Sequence, residues 1–581
     1  MTFSKNFYVD LLKIVHTTRY CDFKMSNLVK QNKGTTFFLP VLGHEIVGAM
    51  ASLILKKGDW AFPYYRDRAF VIGFGSPIKE ILAAFLARDI ENHSGGRMML
   101  DHFCDKKRKI ACQSSCVGSQ FLQAAGVAKG INFQKKDEVV YVSAGDGATS
   151  QGDFHEALNF SSIHKLPIVF VIQDNSFAIS TPSYEQTAGN SIETMVGGYG
   201  LKIYSCKGLE IEKMKKSFEE AISSAREKKP SIVITKVPRL GAHTISDDPK
   251  KYKSEELIEK EKKEDPLLYL ERYVIEKKII SKEELLKLKE LSKKNVEIAV
   301  AAAEKIPFEK KEKATTYLFK DFEIEESYNP SEKEISMIEA INRALKEEMQ
   351  RDENVLVFGQ DVAREKGGVF GVTKGLSDLF KDRCFNTPLA ESTIVGLCIG
   401  LSINGFIPVG EIQFSDFSYT GMNQLLNELS SMYYRSKGQY NCPVVIRMTC
   451  GGYIQGGSYH SQSLEGIFAH VPGLKIAIPS NALDAKRLLK AAIRDPNPVI
   501  FLEHKILYRR KDFCFRKESS ANDLLPFGKA KIVNKGKDMT LVTWGAMVPW
   551  ALEVIKELDL SIELIDIRTI CPLDFPVLAR C

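Results

Sequence analysis

The chain has 581 residues, more than one hydrophobic core organises, so several domains are expected. An apolar share of 44%, a charged share of 26% and a net charge of only +7 fit soluble globular protein and leave no nucleic-acid footprint. No apolar run reaches the roughly 18 residues of a membrane span, charges interrupt the apolar start MTFSKNFYVDLLKIV, and the 12 cysteines are scattered singly. No membrane span is seen, the N-terminus makes a poor signal peptide, neither a zinc site nor a disulfide framework is indicated, and a reducing, cytoplasmic setting is expected.

Residues 1 to about 240 begin with helical segments and then alternate strands with helices. Val139-Val140-Tyr141-Val142 reads as a buried parallel strand. Asp153 to His164 reads as a helix, and Ile168 to Ile172 as the next buried strand. A right-handed βαβ crossover puts Asp146 and Asn175 just past the C-terminal ends of two parallel strands, the edge where open α/β sheets bind ligands. A carboxylate and an amide oxygen converging there are hard ligands suited to Mg²⁺, which would take further oxygens from a diphosphate and water. Gly145-Asp146-Gly147 is not a dinucleotide fingerprint, because Ser150 occupies the third glycine position; no Lys follows to make a P-loop. A turn with a capping Asp is the plain alternative for Gly-Asp-Gly alone. With a strand-end Asn one βα unit later, the segment resembles the thiamin diphosphate motif, GDG…N.

Residues from about 249 to 330 change character. PKKYKSEELIEKEKK and its continuation are rich in Lys and Glu, with Leu, Ile and Val at helical spacing, and predict a pair of solvated amphipathic helices followed by a polar connector. A second α/β block begins near 334, with strand-like runs at 355–358, 406–409, 444–446, 475–478 and 499–502. A third begins near 526, with runs at 539–542 and 562–565, and stops at Cys581 after two or three strands.

Nearly the whole chain resembles the decarboxylating first component of the 2-oxo acid dehydrogenase complexes, with its α-like and β-like parts fused. The motifs that carry the resemblance are Tyr64-Tyr65-Arg66-Asp67, Ser115 to Gly126, GDG…N, Arg239-Leu-Gly-Ala-His243-Thr-Ile-Ser-Asp-Asp248, Phe385-Asn-Thr-Pro-Leu-Ala-Glu391, Glu411 to Asp416, Tyr459 to Ser463 and Lys505 to Arg509. The loop after His243, the YHSQS segment and KILYR look more like the branched-chain than the pyruvate enzymes. The resemblance implies tandem thiamin diphosphate-binding α/β domains, each a parallel sheet with helices on both faces. The expected boundaries are an α-like domain over 1–320, a linker over 321–333, a β-like pyrimidine-binding domain over 334–520 and a partial C-terminal α/β domain over 521–581. It also implies a homodimer, a dihydrolipoyl acyltransferase partner with its lipoyl domain, and a 2-oxo acid substrate.

Carried over residue by residue, the resemblance gives Tyr65 and Arg66 as a diphosphate clamp, with Gly145, Gly147 and Ala148 close to the diphosphate. Asp146, Asn175 and the main-chain oxygen of Phe177 match the Mg²⁺ ligands. Ser115 and Val117 match contacts to the aminopyrimidine from the α side, and Leu389 and Gln413 from the β side. Ser114, Cys116, Ser119 and Gln120 match a monovalent-cation site for K⁺. Glu391 matches the residue that bonds the aminopyrimidine ring nitrogen and favours the imino tautomer that activates the cofactor. Its plain alternative is an acidic residue in the first turn of a helix. His243 and His460 match two active-site histidines able to exchange protons near neutral pH, each in a polar segment without helical or strand period. Thr244 stands where some relatives carry a phosphorylated Ser.

Three positions depart from the family pattern. Gln173 replaces an Arg that contacts the diphosphate, and Gln360 replaces a strand-end Glu and relays no proton. Phe417 replaces a hydroxylated aromatic of the branched-chain type. The short third block predicts an unfinished sheet with exposed apolar surface. The leading expectation is oxidative decarboxylation of a branched-chain 2-oxo acid with acyl transfer to a lipoyl group. The alternatives are a pyruvate-type enzyme, a truncated and catalytically weak homologue acting as a binding subunit, and a transketolase-like enzyme, which HTISDD and YHSQS disfavour.

Overall fold

A computed structural model describes residues 4–35, 37–99, 101–509 and 517–580; Cys581, where the chain was expected to break off its third block, lies outside them. The chain divides into two compact units, residues 1–316 with 434–440, and residues 317–433 with 441–581. Among the described residues no helix is long and apolar enough to cross a membrane.

The first unit opens with two helices, α1 (Lys5–Lys30) and α2 (Glu45–Ile54), and the short strand β1 (Trp60–Phe62). There follow α3 (Gln120–Gln134), β2 (Val140–Gly145), α4 (Gly152–Ile163), β3 (Ile168–Asp174), β4 (Lys202–Lys207), α5 (Ile211–Arg226) and β5 (Ser231–Lys236). The five strands form one parallel sheet in the order β1-β2-β3-β5-β4. β3 sits at its centre, and Ile168 to Ile172 are each fully buried. A continuous β-branched and aromatic run is what a strand covered on both faces requires, and each such side chain is worth roughly 1.5–3 kcal/mol of burial. The expected βαβ unit is therefore present, and it delivers Asp146 and Asn175 to one sheet edge.

The Lys/Glu-rich stretch corrects an expectation. It folds as three helices, α6 (Glu255–Lys263), α7 (Pro266–Glu276) and α8 (Lys282–Glu304), rather than a pair. The break comes at Asp265-Pro266. Proline cannot continue a helix but is favoured at its first position, and the Asp265 side chain caps Leu267 N–H at 2.9 Å. Nor are the helices merely solvated. Leu267, Leu270, Val274, Leu285, Val296 and Val300 are buried in the same core as Leu11, Leu12 and Val15 of α1.

The second unit is also α/β. Its elements are β6 (Pro330–Glu334), α9 (Met337–Arg351), β7 (Val355–Gly359), β8 (Cys384–Asn386), α10 (Glu391–Ile403), β9 (Ile407–Ile412), β10 (Val445–Cys450), β11 (Lys475–Ala477), α11 (Ala482–Arg494), β12 (Val499–His504), β13 (Lys517–Ser519), β14 (Lys531–Asn534), β15 (Met539–Thr543), α12 (Met547–Glu557), β16 (Ile562–Asp566) and β17 (Thr569–Cys571). Its main sheet has seven strands in the order β17-β11-β12-β10-β9-β7-β8, parallel except for β17. The polar connector is ordered against this unit. Arg487 of α11 donates to the Ser327 carbonyl at 2.8 Å, Asn497 bonds both main-chain groups of Lys320, and β6 pairs antiparallel with β13. The last block is a three-stranded sheet, β14-β16-β15. Its edge strand β15 leaves Leu541 37% and Val542 40% exposed, so the expected apolar exposure is there on both faces of the strand.

Candidate active site

In the first unit the C-terminal ends of β2 and β3 open into a cavity of about 240 Å³. Tyr65, Arg66, Val117, Gly145, Asp146 and Gly147 line it, together with Ala148, Asn175, Phe177 and His243. These include every first-unit residue matched to thiamin diphosphate, Mg²⁺ or catalysis except Ser115, whose hydroxyl instead meets His102 Nε2 at 2.7 Å; of the residues matched to K⁺, Ser114 and Gln120 line the cavity, and Cys116 and Ser119 do not. Val117 is 43% exposed, which removes core packing as the reason for its apolar side chain.

Asp146 is the first residue beyond β2 and Asn175 the first beyond β3, and both are buried. Asn175 Nδ2 donates to Asp146 Oδ1 at 3.2 Å. The two remaining oxygens, Asp146 Oδ2 and Asn175 Oδ1, are buried without a hydrogen-bond partner. Such orphaned acceptors cost free energy unless something positive meets them. Burial, reinforced by Asp174, pushes the Asp146 carboxyl up to about 7. Among the described residues no group of three or more His, Cys, Asp or Glu is placed to hold a metal. Asp146 and Asn175 instead offer one carboxylate and one amide oxygen, ligands that suit a hard divalent cation sharing its shell with a diphosphate, and Phe177 lines the same cavity. Gly147 is packed close to Ala178, where a Cβ would stand 3.1 Å from Ala178 Cβ.

Arg66 is not free to act as an open fork. Its guanidinium donates to the Pro40 carbonyl at 2.5 Å and, through Nη2, to His243 Nδ1 at 3.0 Å and the His243 carbonyl at 2.9 Å. Burial, then Arg66 and Arg239, push the His243 imidazole down to about 4, so it is neutral at pH 7. The loop carrying His243 is fastened below. His243 N–H and Tyr252 O–H both donate to Asp247 Oδ2, at 2.7 and 2.6 Å, and Arg239 donates to the Ala178 and Ile179 carbonyls and to Tyr252.

Gln173, expected to weaken the diphosphate clamp, lies elsewhere. It is fully buried and does not line the cavity. Its amide nitrogen donates to Asp67 at 3.1 Å and its oxygen accepts from Tyr64 O–H at 2.9 Å, with His44 Nδ1 also at 2.9 Å. Asp67 further accepts from Tyr141 O–H at 2.6 Å and from the Ser143 hydroxyl. Sequence reasoning missed this polar layer beneath the cavity; the Asp of Tyr-Tyr-Arg-Asp was its one local signal. Around the expected K⁺ site, Cys116 N–H donates to Ser114 Oγ and Ser119 Oγ to the Cys116 carbonyl, each at 2.9 Å, while Gln120 Nε2 donates to the Ser143 carbonyl at 3.1 Å.

In the second unit the chosen residues follow β8, β9 and β10, with β7 lying between β8 and β9 in the sheet. Glu391 opens α10 after β8, where its charge also meets the positive end of the helix dipole. Its Oε1 accepts from Gln360 Nε2 at 3.1 Å and its Oε2 from Thr420 Oγ1 at 2.7 Å. Leu389, two residues earlier, is 85% exposed. Gln413, just after β9, donates to Asp361 Oδ2 at 3.0 Å. His460, in the loop after β10, stands edge-on to Phe414 and Phe417, with ring centroids 4.6 and 5.4 Å away. Its loop is held by Asp416, which accepts from Ser461 and Gln462 N–H at 3.2 Å.

Comparison with known proteins agrees with this division. The dehydrogenase E1 component family model matches residues 13–312, the transketolase pyrimidine-binding domain residues 333–511 and the transketolase C-terminal domain residues 528–581. The 2-oxoisovalerate dehydrogenase subunit beta of Bacillus subtilis is 47% identical over 245 residues, 41% of this chain and 73% of that protein. The pyruvate dehydrogenase E1 component subunit beta of the same organism is also 47% identical, over 246 residues, 42% of this chain and 74% of that protein. The 3-methyl-2-oxobutanoate dehydrogenase subunit beta of Mycobacterium tuberculosis is 44% identical over 250 residues, 42% and 70% of the two chains. The chain therefore belongs to the dehydrogenase E1 component family, the thiamin diphosphate-dependent 2-oxo acid dehydrogenases, with an α-like and a β-like part fused in one polypeptide.

Proposed function

We propose that the chain catalyses the oxidative decarboxylation of a branched-chain 2-oxo acid and passes the acyl group to the lipoyl group of a partner acyltransferase. The observation that carries the catalytic reading is the pair of buried, unsatisfied oxygens of Asp146 and Asn175 inside the strand-end cavity. The branched-chain preference is supported by the His243 loop, YHSQS and KILYR, and the pyruvate-type alternative by an equal 47% identity to relatives of both names.

Thiamin diphosphate, when bound, supplies the electron sink for decarboxylation and carries the acyl unit to the lipoyl disulfide. Asp146, Asn175 and the Phe177 carbonyl would hold Mg²⁺ against the diphosphate. Gly147 and Ala148 let main-chain N–H groups come close to it, and Tyr65 and Arg66 border it. Ser114, Cys116, Ser119 and Gln120 would hold a K⁺ ion that stiffens the turn before α3. Glu391 would bond the aminopyrimidine ring nitrogen, with Ser115, Val117, Leu389 and Gln413 beside the ring. His243, neutral and with Nδ1 accepting from Arg66, presents Nε2–H as a hydrogen-bond donor to a substrate oxygen, and His460 would supply a second imidazole. The working form in this reading is a cytoplasmic homodimer.

The test is CO₂ release by purified chain with thiamin diphosphate and Mg²⁺, comparing 3-methyl-2-oxobutanoate with pyruvate. A kcat/KM at least about tenfold higher for the branched acid is expected, the scale on which apolar pockets discriminate. A preference for pyruvate would move the assignment to the pyruvate type, and no release from either acid would remove it.

A further inference from the structure

Glu391 has two carboxylate oxygens, and each is met by one donor whose own group does not titrate near neutrality: the Gln360 amide and the Thr420 hydroxyl. Gln360 is the residue immediately beyond β7 and is only 5% exposed, so its amide is held rather than sampling solvent. Thr420 is pressed against the start of α10. The Ser392 hydroxyl donates to the Thr420 carbonyl at 3.0 Å, and a Cβ on Gly421 would stand 3.2 Å from the Glu391 carbonyl carbon. The residue after Gln360 does the matching work for Gln413, whose amide donates to Asp361 at 3.0 Å. Two consecutive residues at one strand end thus hold both second-unit polar side chains assigned to the cofactor ring.

We propose that Gln360 is a positioning residue for the reaction, holding Glu391 in a fixed orientation as a hydrogen-bond acceptor. This rests on the reading of Glu391 as the partner of the ring nitrogen. The choice of amide matters chemically. An amide nitrogen only donates, so it orients the carboxylate without competing for its proton. A carboxyl at the same place would lie within hydrogen-bond reach of Glu391, and two carboxyls at that distance share one proton and titrate as a unit.

The experiment compares Gln360→Ala, Gln360→Glu and Glu391→Gln with the unmodified chain in 2-oxo acid-dependent dye reduction across pH, with thiamin diphosphate affinity and melting temperature measured alongside. Gln360→Ala should lower kcat roughly tenfold, the effect of one lost charge-assisted bond, and leave KM for the 2-oxo acid within about twofold. Gln360→Glu should displace the acid limb of the kcat profile upward by about one pH unit or more. An unmoved profile in Gln360→Glu, with Glu391→Gln inactive, overturns the role of Gln360 alone. Full activity in Glu391→Gln overturns the reading of Glu391, and the proposal with it.

Discussion

Two carboxylates stand at strand ends in the two units, and their surroundings are opposite. Asp146 keeps Oδ2 buried without a partner, and its neighbour Asn175 keeps Oδ1 so. Glu391 has a donor on each oxygen. A buried polar atom left unsatisfied costs roughly 1–3 kcal/mol, so the first-unit site is stable only to the extent that something positive completes it. Asp146 is pushed up to about 7 by burial and Asp174, a condition that a divalent cation reverses. Glu391 needs no ion and is already oriented. Asp146 and Asn175 are arranged around a missing charge, Glu391 around a fixed direction.

The contrast breaks first at Glu391. Glu391→Gln should cut kcat by about 10²–10³, the range for a lost preorganised group at a reacting centre, while Mg²⁺-dependent thiamin diphosphate affinity stays within about threefold. Parallel loss of affinity would mean that both carboxylates serve binding. A smaller effect is expected at Arg66. Burial first, and then the Arg66 charge, hold the His243 imidazole down near 4, so Arg66→Met should raise that value part of the way toward the ordinary 6.5, followed by the imidazole C–H resonance in an NMR titration. The sign follows from removing a positive neighbour, and an unchanged or lower value would contradict it. The same linkage sets a stability window. A folded value below the unfolded one gives stability that is present above about pH 6.5 and is lost as pH falls toward 4, and Arg66→Met narrows that window. The smallest effect is at Leu389. At 85% exposure, Leu389→Ala should change stability by less than about 0.5 kcal/mol and lower cofactor affinity a few-fold, so a large drop in melting temperature would show that it packs.

Much of this was legible in the sequence where a side chain's reason is local. Ile168 to Ile172 and Val499 to Leu502 announce themselves as continuous buried runs, and they became β3 and β12. Asp146 and Asn175 could be placed because a βαβ unit fixes where strand ends go. What stayed hidden was short, polar or non-local. β1 has three residues and β17 three, too few for a period, while β4 reads as Lys-Ile-Tyr-Ser-Cys-Lys because it is an edge strand. The break at Pro266 was written in the sequence, yet the surrounding Lys and Glu masked the buried Leu267 and Leu270. The bond from Gln360 to Glu391 spans two strands and a helix start, and no spacing rule reveals it. Gln173 shows the converse. A substitution that looked like a lost phosphate contact is instead matched to Asp67, Tyr64 and His44 in a layer below the cavity.

The most direct test is calorimetric titration of thiamin diphosphate into the chain and into Asp146→Ala, each with and without Mg²⁺. The account predicts that the unmodified chain binds tightly only with Mg²⁺. Asp146→Ala should lose more than about 100-fold in affinity, since even partners outside a metal's ligand shell are worth 10–100-fold. Equal binding without Mg²⁺, or undiminished binding by Asp146→Ala, would contradict the claim that the orphaned oxygens of Asp146 and Asn175 await a cation.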